Sequence, residues 1–122
     1  MRNLWGVAAV LAALFLAPSA QASTLYIREY RSIAIVNTSQ AQLAPEPGTD
    51  QAPISSTGAA TASAACASST KVVRLICDAA CSILFGPAGT TTATSSNALL
   101  PANIPEYFAV QPGQVVSVVH NP

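Results

Sequence analysis

Residues 71–86, KVVRLICDAACSILFG, restrict what this chain can fold into more than any other stretch. Val73, Leu75 and Cys77 alternate with outward positions such as Arg74 and Asp78, and Cys81, Ile83 and Phe85 resume the alternation after Asp78-Ala79-Ala80. A period of two on both sides of a short break is the pattern of half-buried strands. The spacing predicts a hairpin with a three-residue loop, a connection that ordinarily places one residue in the left-handed region, where Gly is more comfortable than Asp or Ala.

The rest of the chain carries the same signal in weaker pieces. Leu25, Ile27 and Glu29 alternate with Tyr26, Arg28 and Tyr30, and residues 32–36 add a second β-rich segment, giving an N-terminal strand region over 23–36. Residues 37–53 contain Pro45, Pro47, Gly48 and Pro53, a composition that excludes a central strand and reads as an extended, Pro-rich arm. Residues 54–122 form the remainder of the domain. Within them the Ser/Thr/Ala run 54–70 is expected to hold one or two weak strands, and the small-residue stretch 87–96 is expected to be an exposed loop. Gln111-Pro112-Gly113-Gln114 fits a type II turn, so strands 107–110 and 115–119 are expected to pair across it. About seven or eight short strands, with no amphipathic helix, predict an all-β fold: a small single-domain antiparallel β-sandwich, jelly-roll-like or Ig-like, after an N-terminal signal helix. The expected core is Ile27, Val36, Val73, Leu75, Ile83, Phe85, Leu100, Phe108, Val115, Val116, Val118 and Val119.

Residues 1–22 have the layout of an export signal. Arg2 supplies the positive start, residues 4–17 are apolar, and Ala20-Gln21-Ala22 is a small-x-small site, which places cleavage between Ala22 and Ser23. An apolar run of fourteen residues is short of the about twenty that a spanning helix needs, so no stable membrane anchor is expected after cleavage. With Arg2 removed, four basic and five acidic residues remain, and this balance gives no basic footprint for nucleic acid.

Only 8% of the residues are charged, and none of the usual chemical constellations is present. Glu29, Glu46, Asp50, Asp78 and Glu106 are dispersed, and read as solvated charges or partners of Arg28, Arg31 and Arg74. His120, the only histidine, reads as an exposed tail residue, with no nucleophile motif to serve. The three cysteines lack the paired short spacings of a zinc site, and neither a cofactor nor a metal is expected. In an oxidising compartment one disulfide and one thiol is the simplest arrangement. Cys77 with Cys81 across the turn is one pairing, Cys66 with either of them another, and three buried thiols a third alternative. Tyr26, Tyr30 and Tyr107 are candidate interaction residues, as are Pro45 and Pro47 in the arm. Tyr107 with loop 86–96 is the candidate ligand end of a binding module.

TLYIREY at 24–30, APEP at 44–47, the 71–86 segment and LPANIPEYFAVQPGQVVSVV at 100–119 together resemble the small all-β virion proteins of tailed bacteriophages, structural accessory subunits of the head-decoration type. The resemblance spans nearly all of 24–119 and rests on strand and turn patterns. It implies a β-sandwich that performs no reaction and binds other protein subunits, copies of itself or components of a virion or envelope assembly. Its members begin close to the position of Thr24, where cleavage at Ala22–Ser23 would start the mature chain. Two functional expectations follow. The first is a prophage-derived virion accessory protein; the alternative is an exported, periplasmic or secreted, module that binds a small ligand or glycan.

Overall fold

The computed structural model describes residues 21–33, 35–36, 39–40 and 45–122. The predicted signal helix, the Val36 side chain and part of the predicted arm lie outside the described residues. Among those described, no helix is long and apolar enough to cross a membrane.

The chain folds as two antiparallel sheets packed face to face. The first has the order β10 (Glu106–Ala109), β7 (Val72–Cys77), β1 (Ser23–Tyr30), β4 (Thr49–Asp50), with β5 (Ile54–Ser56) pairing the other end of β1. The second has the order β6 (Thr61–Ala62), β11 (Gln114–His120), β8 (Cys81–Pro87), β9 (Ala98–Leu100). A small hairpin, β2 (Ile35–Val36) with β3 (Ser39–Gln40), stands apart. The all-β sandwich read from the sequence is the fold observed. Nine strands build its two sheets because the 49–62 region adds three very short ones, β4, β5 and β6, that pair along strand edges.

Alternation decides the core. Leu25 and Ile27 of β1 and Val73, Leu75 and Cys77 of β7 face Cys81 and Ile83 of β8, Val116 and Val118 of β11, and Leu100 of β9. Phe85 and Phe108 close one side with ring centroids 5.3 Å apart. Aromatic pairs at that separation and tilt add to area burial.

Two connections differ from expectation. Segment 71–86 is not a hairpin: β7 pairs with β1 and β10 in the first sheet, while β8 pairs with β11 and β9 in the second. Asp78-Ala79-Ala80 is therefore a corner between layers, and the Cys77–Cys81 disulfide ties the sheets there. The backbone agrees, since among the described residues only Gly89, Gly113 and Asn103 have positive φ, and a three-residue hairpin loop would have required one at 78–80. The Gln111–Gln114 turn does form, with Gly113 at φ 78° and Gln114 N–H donating to Gln111 O. It too is a corner: β10 pairs with β7 and β11 with β8, so strands 107–110 and 115–119 do not pair with each other.

Loop 88–97 is exposed at most of its positions, as expected, yet it is held against the body. Rather than projecting into solvent it lies along the outer face of the second sheet, where Ala93 is buried and its N–H donates to Ser117 Oγ at 2.9 Å. Asn121 Nδ2 reaches Ser95 O, and Thr91 Oγ1 donates to Pro87 O. Small side chains permit this approach. A Cβ on Gly86 would collide with Thr91 Oγ1. Val115, Ser117 and Val119, which point away from the core, are buried as a result.

Candidate functional site

With the second sheet covered by its own loop, the outer face of the first sheet is the open one. It is built from the even-numbered positions of β1 and β7 and the odd-numbered positions of β10. Register sets Tyr26 beside Ile76, Arg28 beside Arg74, and Arg74 beside Tyr107. Tyr26 is 49% exposed and Tyr107 45%, both large values for ring residues in the body of a sheet. A shallow recess of about 200 Å³ lies on this face, walled by Tyr26, Arg28, Asp50, Gln51, Arg74 and Ile76.

The two arginines differ. Arg28 donates Nε and Nη2 to the two oxygens of Asp50, at 2.5 and 2.8 Å, and Nη1 to Glu46 at 3.0 and 3.1 Å. These hydrogen bonds, Asp50's first and Glu46's second, raise the guanidinium pKa further above its ordinary value and lower that of Asp50. Glu46 is held below the usual carboxylate range first by the Gly48 N–H, at 2.7 Å, and next by the Tyr30 hydroxyl, at 2.9 Å. Among the described residues no carboxylate comes within 4.0 Å of the Arg74 guanidinium, and no acceptor takes its N–H groups.

Segment 45–50 is thus fastened to the body rather than extended from it. Gly48 lies over the β1 side chains so closely that a Cβ would come within 2.6 Å of Arg28 Cγ. Pro45 and Pro47 are exposed on this lid, whereas Tyr30 is buried beneath it, 6.4 Å from the Tyr107 ring. Of the five candidate interaction residues, Tyr26 and Tyr107 are presented, the two prolines flank them, and Tyr30 is withdrawn. Loop 86–96 belongs to the other sheet, so the ligand end expected from Tyr107 and that loop is not assembled.

Two polar clusters were not legible as such in the sequence. Glu29, read as a solvated charge, is buried: Gln51 Nε2 donates to Oε1 at 2.6 Å, Ala67 N–H to Oε2 at 3.0 Å, and Thr70 Oγ1 also to Oε2. Burial pushes its pKa up, but donation by Thr70, Gln51 and Ala67 outweighs this and leaves it below its ordinary value. The free Cys66 thiol is buried nearby and raised, by burial first and by the Glu29 charge second.

The second cluster is at the disulfide corner. Ser23, the expected first residue of the mature chain, is fully buried, while Gln21 and Ala22 are exposed. Ser23 Oγ donates to Ala80 O at 2.9 Å and lies 2.6 Å from His120 Nδ1. With its own proton committed to Ala80, Ser23 accepts from His120 Nδ1–H. His120 is therefore a strap between the first and last strands and not the exposed tail residue expected. Its Nε2 is buried with no partner among the described residues, so no carboxylate orients the ring as nucleophilic catalysis would need.

Comparison with family models, with curated proteins and with solved structures finds no match for this chain.

Proposed function

We propose that the chain is a non-enzymatic structural subunit that joins a larger protein assembly through the outer face of β10, β7 and β1, in the manner of the virion accessory proteins that its sequence resembles. The asymmetry between the two sheets carries this reading. One outer face is largely covered by the chain's own loop, with Leu99 left exposed on its edge strand, while the other displays Tyr26, Tyr107 and Arg74 beside a recess that Tyr26, Arg74 and Ile76 help to wall. Tyrosine and arginine on a sparsely charged surface are the residue types that dominate protein contacts. Export before assembly is supported by the layout of residues 1–22 and by the Cys77–Cys81 bond, which persists in an oxidising compartment.

Mass spectrometry of purified phage particles and of the periplasmic fraction from one induced culture tests the proposal. The chain is expected to be enriched in particles, with its N-terminal peptide starting at Ser23. Tyr26→Ser combined with Tyr107→Ser is expected to lower its occupancy in particles about tenfold or more, since an interface tyrosine is commonly worth above about 1 kcal/mol. Recovery from the periplasm alone would overturn the virion role, and unchanged occupancy of the double variant would overturn the choice of face.

A further inference from the structure

We propose that the recess at Arg74 receives the carboxylate side chain of an aspartate or glutamate on a protein partner. The inference rests on the reading of this face as the contact surface and names what the face recognises.

Charge complementarity within the recess carries the argument. Arg28 and Arg74 are cross-strand neighbours beside two carboxylates, Asp50 and Glu46, that match them in number. The two carboxylates at hand, Asp50 and Glu46, are both turned to Arg28, and their oxygens are filled by its Nε, Nη1 and Nη2, by the Tyr30 hydroxyl and by the Gly48 N–H. Arg74 is left as a half-buried fork of donors among Tyr26, Ile76 and Tyr107, with no acceptor among the described residues. Its N–H groups are open to water, and an incoming carboxylate replaces that water with two charge-assisted hydrogen bonds at once in bidentate geometry.

A second orphan lies in the same wall. Gln51 donates Nε2 to Glu29, which fixes the orientation of its amide, and its Oε1 is then buried with no donor. That oxygen is closed to solvent, so what the recess itself offers an acidic residue is the Arg74 guanidinium. A volume of about 200 Å³ on an open sheet face suits one inserted side chain, with the flanking tyrosines left to cover the backbone around it.

Arginine Nε–H resonances of the mature, oxidised protein, followed by NMR during titration with N-acetylglutamate N-methylamide, test the proposal, with the glutamine analogue as control. Arg74 is expected to show a saturable shift, about tenfold weaker or absent with the glutamine probe and lost in Arg74→Gln, whose amide spectrum confirms that it is folded. An equal response to both probes, or a response at Arg31 matching that at Arg74, would overturn it. Tighter binding of sodium galacturonate than of the glutamate probe would overturn the assignment to a protein partner. The two readings fail separately. Saturation at Arg74 together with particle occupancy indifferent to Tyr26 and Tyr107 removes the assembly role alone, whereas loss of occupancy without probe binding removes the carboxylate site alone.

Discussion

Glu29→Ala is expected to lower the unfolding free energy by about 2 kcal/mol, because it strips the acceptor from one buried and two part-buried donors. Thr70 is itself buried, and Gln51 and the Ala67 amide approach from two other segments, so the carboxylate fastens the 51 and 67–70 connections to β1. Each donor left dry costs about 1–3 kcal/mol, and entry of water at the sheet margin recovers part of the total. Urea denaturation of the oxidised protein measures the loss. Faster alkylation of Cys66 would accompany it, since that buried thiol adjoins in sequence the Ala67 amide that Glu29 holds. The acid limb gives an independent check. The folded-state pKa of Glu29 lies below its unfolded value, so its contribution is fully present above the ordinary glutamate value of about 4.3 and is lost as pH falls through the folded pKa. The parent should therefore lose stability on acidification below about pH 4, and Glu29→Gln should lose less over that interval. A Glu29→Gln acid limb as steep as the parent's would show that Glu29 does not govern it.

Cys77→Ala combined with Cys81→Ala should cost about 2 kcal/mol, the loop-closure value for so short a ring, or about 10 °C in Tm for a domain of this size. The ring is small, but it sits where the chain leaves one sheet for the other, and the corner it closes also receives the strand ends. Thr24 N–H donates to Asp78 Oδ1 at 2.6 Å, Asp78 N–H to Thr24 O at 3.1 Å, and Asn121 N–H to Ala80 O at 3.1 Å. Thermal melts with and without dithiothreitol read the effect. The parent should shift down on reduction and the double variant should not, and coincident melts of the parent in both buffers would show that the bond adds nothing to stability.

Parity was legible in the sequence; partnership was not. The inward set Leu25, Ile27, Val73, Leu75, Cys81 and Ile83 follows from alternation, as does the outward set Tyr26, Arg28 and Arg74, whereas the run VVSVV at 115–119 shows no alternation, and Val115 and Val119, expected in the core, face the other way. Alternation states which way a side chain points and is silent on which sheet holds the strand. Residues 71–86 consequently had the period of a hairpin while folding as an arch, and the one local clue was the lack of a residue suited to the left-handed region at 78–80. The same rule held an unused hint about Glu29, which shares its parity with Leu25 and Ile27 and so had to point inward. Loop 88–97 was legible as an exposed loop, but its seat on the second sheet was not, because Ala, Ser and Thr give little hydrophobic signal although their small size is what lets the backbone settle there. The contrast between Arg28 and Arg74 could not be read at all, since the carboxylates that choose Arg28 arrive from a segment with no period of its own.

The meeting of Ser23 with His120 and of Asn121 with Ala80 has a topological consequence. The first and last strands, β1 and β11, meet at one pole of the sandwich and are joined there through side chains and backbone. A short linker from the end of β11 to the start of β1 would join the strands of the sandwich into a circle, and the exposed bend at Gly58, where nothing lies within 4 Å of an added Cβ, offers a place to cut it open again. The order in which the strands are written along the gene is thus one of several that would suit the same two sheets.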